Sequence, residues 1–390
     1  MPEPHPLPFG LTAEALAAAE AEVDPGSLAA ATRLRSRFGP ELAASAASQA
    51  VLRRQARTKF GDAAAEMIFT RDGLEQASRP DVADYHARRL AMAGVRRAFD
   101  LGCGIGADAM AFVRAGLDVV AVEIEPAAVA AAGYNLAGRA EVVHADAELF
   151  GDQLQPHDAV FCDPARRTSS GRVWRVEDFR PSWAFVLRLL DGARTAAAKL
   201  GPALPSALIP EGVDAEWVSH RGDTVEVCLW AGPAATGARS ALVWPDHRLT
   251  VPPELPQVDV SRSLRYVYEP EGAVIRAGGI PVLASMLGAS VLDRSIAYLT
   301  SDRLSLSPYA TAFAVSEVLP YDQRVLRSWV REHGVGTLEI KKRGLQVDPA
   351  QLRRQLRPRG TQQATLILTR TIDGARAIVA ERISPGTHDR

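Results

Sequence analysis

Cysteine and lysine are both scarce in this chain of 390 residues. Its three cysteines, Cys103, Cys162 and Cys228, lie too far apart for a disulfide framework or a zinc site, so no metal is expected. No apolar run approaches the ~20 residues that span a bilayer, which excludes a membrane helix. The opening MPEPHPLPFGL lacks the basic start and apolar core of a secretory leader, and the expected location is the cytoplasm. Of 45 basic residues only Lys59, Lys199, Lys341 and Lys342 are lysine. The remainder are arginine, beside abundant alanine, as in a GC-rich genome, so a single arginine means little.

Charge of one sign is also missing overall, the formal net charge being -1. That neutrality hides an asymmetry. From Arg324 to Arg390 there are fourteen Arg or Lys against six Asp or Glu, a net of +8. A basic C-terminal module on a neutral or acidic body points to an anionic partner.

What is present has a clear order. Residues 1–75 are rich in Ala, Glu, Leu and Arg and predict helices broken at Pro25-Gly26, Gly39-Pro40 and Gly61-Asp62. A further helix is expected from Asp81 to Ala93. Strands and helices then alternate: RRAFDL, a helix from Ala107, DVVAVE, a helix from Pro126, AEVVHA and DAVFCD. This is the rhythm of a parallel sheet wound on both faces. A helix over Trp183–Lys199 and strands at Ser206–Ile209, Thr224–Trp230 and Ser240–Trp244 complete the expected domain. From Ala312 a small α+β module follows: strand AFAVSEV, a helix, strand GTLEIKK, a helix, and two strands joined at IDGA. The expected divisions are a helical segment (1–79), an α/β domain (80–250), a connecting region (251–311) and the module (312–390).

The sharpest local signal is FDLGCGIGAD, Phe99 to Asp108. Gly102, Gly104 and Gly106 form a turn between strand and helix, where backbone can approach a ligand. Asp100 precedes the turn and argues against a bound pyrophosphate, since two negative charges would meet there. A cationic or zwitterionic ligand suits it instead. Carboxylates end the next three strands too: Glu123 before Ile124, Asp146 before Ala147, and Asp163 in the run Asp163-Pro164-Ala165-Arg166. Cys162, one residue before Asp163, should point to the opposite face of an extended strand and pack in the core. Cys228, in VEVCLW, is expected to be packed as well.

Four acids at four successive strand ends, with the glycine turn, resemble the class I S-adenosylmethionine-dependent methyltransferases. The resemblance implies a Rossmann-like fold and S-adenosyl-L-methionine as cofactor. Asp100 and the three glycines would then hold its amino-acid end, Glu123 with Ile124 its ribose, and Asp146 with Ala147 its adenine. In amino-group methyltransferases the fourth strand ends in an acid or amide, two prolines and an aromatic residue. Here Asp163 and the Pro164 carbonyl would orient the target nitrogen, while Ala165 and Arg166 depart from the pattern. Arg166 and Arg167 are candidates to stack on a base or hold a phosphate, and Trp174 and Trp183 to supply an aromatic wall.

Lys59 to Ala91, together with YEPEGAVIRAGG, LDRSIAYLTSD and GTLEIKKRG, is similar to a bacterial group of these enzymes that ends in a THUMP-like domain. Its better-understood relatives are guanine-N2 methyltransferases of the trimethylguanosine-synthase type. By that analogy Phe69 and Thr70 reach the cofactor. THUMP domains bind structured RNA, so tRNA or rRNA is the implied partner. Lys341, Lys342 and Arg343, with Arg353, Arg354, Arg357 and Arg359, would meet its phosphates. The expected activity is methylation of a base nitrogen, an exocyclic amine, in RNA. Two readings stay open beside it: a small-molecule methyltransferase, and a non-catalytic RNA-binding protein.

Overall fold

In a computed structural model the breaks at Gly39-Pro40 and Gly61-Asp62 end helices, as their geometry requires. Helices α1 (Ala13–Glu20), α2 (Leu28–Phe38) and α3 (Pro40–Phe60) precede a 3₁₀ turn, Gly61–Ala65, and then α4 (Arg71–Gln76) and α5 (Pro80–Met92). The structure describes residues 6–151, 153–155, 158–166, 178–191, 194–233 and 235–383. The chain divides into two compact units. The first runs to Leu200 and adds Leu204–Val213 and Leu229–Thr236; the second takes Gly201–Ala203, Asp214–Cys228 and the chain from Gly237 onward. Among the described residues no helix is long and apolar enough to cross a membrane.

The first unit carries the expected alternation: β1 (Arg97–Leu101), α6 (Ala107–Arg114), β2 (Asp118–Glu123), α7 (Pro126–Leu136), β3 (Glu141–His144), α8 (Ala147–Gly151) and β4 (Ala159–Cys162). Two short strands, β5 (Ala165–Arg166) and β6 (Phe179–Arg180), pair with each other, and α9 (Trp183–Leu190) leads to β7 (Ala196–Leu200). The parallel strands lie in the order β7-β4-β1-β2-β3. The order reverses between β1 and β4. A crevice opens at such a switch point, outside the carboxyl ends of the two strands, and ligands bind there.

Two expectations fail in this unit. The helix predicted over Trp183–Lys199 stops at Leu190, and Ala196–Leu200 is a fully buried strand beside β4. Alanine's helix preference misleads here, because in a buried strand its small side chain packs closely. Ser206–Leu208 is a 3₁₀ turn rather than a strand, bracketed by Pro205 and Pro210.

Between the 3₁₀ turn and α4 the backbone of residues 67–69 has side chains for partners. The Arg53 guanidinium donates to the Met67 carbonyl at 2.8 Å. Asn135 of α7 accepts from the Ile68 amide at 2.8 Å and donates to the Ile68 and Ile105 carbonyls at 3.0 and 2.9 Å. Gln49 of α3 holds both polar groups of Phe69. Around this stitched segment Leu52, Phe60, Met67, Ile68, Phe69 and Leu74 form one apolar core with Ile105 and Ala107 of the glycine turn. The helical segment is thereby fixed to the start of α6.

The second unit contains β8 (Asp214–His220), most of β9 (Asp223–Ala231), β10 (Arg239–Val243) and β11 (His247–Val251), with β8 and β10 parallel and β10 and β11 antiparallel. Then come β12 (Tyr266–Pro270), α10 (Gly272–Ala277), α11 (Ile280–Leu287), β13 (Ser290–Asp293), β14 (Ile296–Ser301) and β15 (Ala310–Pro320). After them follow α12 (Gln323–Glu332), β16 (Val335–Arg343), α13 (Pro349–Leu356), β17 (Gln362–Thr371) and β18 (Gly374–Arg382). A seven-stranded sheet runs β13-β14-β12-β15-β18-β17-β16, so strands from residues 251–311 pair directly with the C-terminal module. Alternation along β17 sorts its side chains: Leu366 and Leu368 meet Leu326, Trp329, Leu352 and Leu356 of the helices, while Ile367 meets Tyr298 and Phe313 on the other face.

Asn135→Ala is expected to lower stability by about 3 kcal/mol, since two carbonyls and an amide are left buried without partners. The shift of the urea midpoint, at unchanged slope, measures it.

Candidate active site

The crevice at the switch point is a cavity of about 850 Å³ lined by the strand ends that the sequence picked out. Gly102, Gly104, Glu123, Ile124, Asp146, Ala147 and Asp163 all border it, and Thr70 lies on its rim. Gly102 stands at φ +83°, and a Cβ there would come within 3.0 Å of the Asp163 carbonyl oxygen. Only glycine lets the ends of β1 and β4 approach this closely. Gly106, at φ +82°, caps α6. Thr70 caps α4 by accepting from the Gly73 amide at 3.0 Å. Phe69, expected to reach the ligand, instead packs in the apolar core with Phe60, their ring centroids 5.6 Å apart.

Each acid has its own surroundings. Glu123 accepts from the amides of Gly104, Ile124 and Glu125 at 2.8 to 2.9 Å. Asp146 turns the chain into α8 by accepting from the Glu148 amide at 2.8 Å. Asp100 differs from both. It is 1% exposed, and neither carboxyl oxygen has a hydrogen-bond partner among the described residues. Burial, reinforced by the charges of Asp108 and Asp163, pushes its carboxyl well above the usual range.

A charged cluster that the sequence did not reveal lies behind these acids. Asp108 of α6 is buried; Ser78 Oγ donates to it at 2.7 Å and His86 Nδ1 lies 2.9 Å away. Burial alone would raise the Asp108 carboxyl, but Lys199 and His86 outweigh it and hold it well below the ordinary range. Lys199, near the end of β7, places Nζ 2.6 Å from Asp163 Oδ2 and 3.5 Å from Asp108 Oδ2. Arg180 of β6 also borders the cavity, brought there by the pairing of Ala165 with Arg180.

Pro164 is buried and Ala165 lines the cavity. The Arg166 side chain, Arg167 and Trp174 lie outside the described residues. Trp183 packs against Phe179 at 6.4 Å and does not supply a cavity wall. Burial pushes the Cys103 and Cys162 thiols well up, so neither is a ready nucleophile, and Cys228 is buried as well. No group of His, Cys, Asp or Glu among the described residues is arranged to hold a metal ion.

In the second unit the run Lys341-Lys342-Arg343 does not form one basic cluster. Strand alternation sends Lys341 and Arg343 one way and Lys342 the other. Lys341 pairs with Glu269 at 2.6 Å, and Arg343 lies over the Tyr298 ring and donates to the Ala297 carbonyl. Lys342 is exposed. Arg353 likewise turns inward, to the Leu338 carbonyl at 2.8 Å.

A buried carboxylate that has lost its water and gained no partner is a place for a ligand ammonium. Asp100→Asn should therefore stabilise the ligand-free protein at neutral pH while weakening ligand binding. The sign follows from linkage: a carboxyl whose folded pKa is raised costs stability above its unfolded value, and the cost vanishes as pH falls toward 4. The variant's gain in melting temperature should accordingly shrink from pH 7.5 to about 4.

Comparison with known proteins agrees with this geometry. A methyltransferase domain family matches residues 98–171, and a THUMP domain-like family matches residues 310–382. Two uncharacterized S-adenosylmethionine-dependent methyltransferases of Mycobacterium tuberculosis, from strains H37Rv and CDC 1551, are each 34% identical over 352 residues, 86% of this chain and 95% of theirs. A solved structure from Porphyromonas gingivalis W83, assigned as a methyltransferase, has the same fold: TM-score 0.77 and 22% identity over 95% of this chain and 98% of that one. With relatives that similar along nearly their whole length, the chain belongs to the S-adenosylmethionine-dependent methyltransferases, and S-adenosyl-L-methionine is its cofactor.

Proposed function

We propose that this enzyme methylates a base nitrogen, an exocyclic amine, in structured RNA. The observation that carries the reading is a cavity bordered by the strand-end carboxylates Glu123, Asp146 and Asp163, with Asp100 buried behind them. Asp100 is closed off, with neither oxygen hydrogen-bonded among the described residues, whereas the Asp163 side chain, on the cavity wall, is 28% exposed. The cofactor supplies an electrophilic methyl group on a sulfonium. Asp100 would hold its ammonium, Glu123 the ribose hydroxyls and Asp146 the adenine amino group, with Ile124 and Ala147 on the faces of the base. Asp163 would accept an N–H of the target amine and aim the nitrogen lone pair at the methyl group. Catalysis of this kind works by alignment and needs no strong base.

An RNA partner is supported by the surface of the THUMP-like domain. Leu326, Trp329 and Val330 face inward from α12, which leaves Arg324, Arg327 and Arg331 on one exposed face at helical spacing. Arg354, Arg357 and Arg359 at the end of α13 line the same pair of clefts, of about 590 and 490 Å³. The nearby acids serve elsewhere: Asp322 and Asp348 cap the two helices through their backbone amides. Among the described residues only Arg331 of these six is within ion-pair distance of a carboxylate, at 3.6 Å. No aromatic side chain lines either cleft, so the face suits phosphates rather than stacked bases. An RNA substrate also accords with action in the cytoplasm.

Two measurements test the reading. Mass spectrometry of nucleosides from a deletion strain should show one methylated nucleoside lost and restored by the wild-type gene but not by Asp163→Ala; parental levels of every methylated nucleoside would refute it. In filter binding to bulk tRNA across a salt series, Arg327→Ala with Arg354→Ala and Arg357→Ala should weaken binding and reduce the salt slope by about 1 for each phosphate no longer neutralised.

A further inference from the structure

Lys199 is the cation of the cavity that cofactor binding leaves without a role. Its side chain is 8% exposed, and its ammonium lies near Asp163 Oδ2 at 2.6 Å, Ser78 Oγ at 2.9 Å and Asp108 Oδ2 at 3.5 Å. Two of these are fixed independently of the cavity. Ser78 Oγ donates to Asp108 Oδ2, and His86, fully buried against the Phe161 and Trp230 rings, holds Asp108 Oδ1. The ammonium therefore occupies a position set by α5, α6 and β7. Asp163, after the end of β4, is the partner on the cavity side.

Electrostatics gives that contact a purpose. Asp100, Asp108 and Asp163 converge from three elements, and an isolated carboxylate in such company takes up a proton rather than stay charged. Burial, with Asp108 and Asp163 beside it, pushes the Asp100 carboxyl well above the ordinary range. Other charged groups face the cluster as well: Glu123 at the end of β2, Lys59 of α3, His86 of α5 and Arg180 of β6. Lys59 is spent on the Leu74, Glu75 and Ala77 carbonyls at the end of α4, and burial lowers it to about 8. Arg180 donates to the Phe179 carbonyl. Lys199 is seated directly on Asp163.

We propose that Lys199 is a positioning residue for methyl transfer: anchored by Asp108 and Ser78, it fixes the Asp163 carboxylate and keeps it ionised as the hydrogen-bond acceptor for the target nitrogen. The inference rests on the reading of Asp163 as that acceptor. A protonated Asp163 would lose acceptor capacity and present a hydroxyl to an N–H donor. An ionised but unanchored one would accept without direction. Lys199 prevents both, and its own ammonium never needs to meet the substrate.

The full-length protein supplies the test, in four forms: wild type, Lys199→Met, Lys199→Arg and Asp163→Asn. Methyl transfer from labelled S-adenosylmethionine is read on RNA from the deletion strain, and the charge state of Asp163 by infrared spectroscopy of its carboxyl stretch. Lys199→Met should lower kcat about 100-fold with little change in the KM for the donor, as expected when alignment fails. Its acidic limb should move to higher pH, because removing the cation favours the protonated acid. A protonated-carboxyl band absent from the wild type should appear near neutral pH and vanish in Lys199→Met with Asp163→Asn. Lys199→Arg keeps the charge with a different shape, so it should show no added band and recover only part of kcat; it also serves if the methionine variant does not fold. An unchanged spectrum and pH profile in Lys199→Met, or Lys199→Arg behaving like Lys199→Met in the spectrum, would overturn the proposal. If Asp163→Asn itself transfers at the wild-type rate, the acceptor reading falls first, and the infrared result still decides whether Lys199 sets the charge of Asp163.

Discussion

One buried ammonium against three converging carboxylates is the constraint around which the methyltransferase unit is organised. A pocket for a sulfonium that also carries an ammonium must be negative, yet unpaired negative charge in a dry interior is costly. The unit divides the problem among its acids. Glu123 and Asp146 are calmed by backbone amides, Asp108 by Lys199, His86 and Ser78, and Asp163 by Lys199. Asp100 alone of these acids has no hydrogen-bond partner among the described residues, and burial raises its carboxyl well above the ordinary range. The arrangement concentrates the cost of buried negative charge at Asp100.

Placement of these groups follows from topology more than from any single contact. Parallel strands that reverse order between β1 and β4 bring Asp100 and Asp163 to adjacent ends, and Gly102 removes the one side chain that would hold them apart. The remaining wall comes from outside the sheet. Thr70 and Gly73 at the start of α4 lie against the glycine turn, where a Cβ on Gly73 would stand 2.4 Å from the Ile105 side chain.

The four strand-end acids were legible because each lies at or just after the end of a strand: Asp100 before the glycine turn, Glu123 before Pro126 and α7, Asp146 directly before α8, and Asp163 before Pro164. Lys199 was not. It sits in Ala-Ala-Ala-Lys-Leu, which by propensity alone reads as helix, and only its place beside β4 makes it a strand. Arg180 escaped notice because a pairing across residues 165–180 is not written in either segment. The basic run at 341–343 misled in the other direction, since composition cannot say which faces of a strand are buried. One signal was available and went unused. In a chain that favours arginine throughout, three of the four lysines hold specific buried or partly buried positions, at the end of α4, at Asp163 and at Glu269. A compact ammonium with three donors fits such places where a planar guanidinium does not.

The side-chain stitching of residues 67–69 bears on where this enzyme begins. The methyltransferase domain family matches from residue 98, whereas likeness to whole relatives covers 86% of this chain. Asn135, inside the matched region, has two of its three side-chain hydrogen bonds with Ile68, and Ile105 shares its core with α3 and α4. A chain started at β1 would keep every strand-end acid and still expose that core and leave Asn135 without its main partner. The early helices thus share one apolar core and one hydrogen-bond network with the glycine turn and α7.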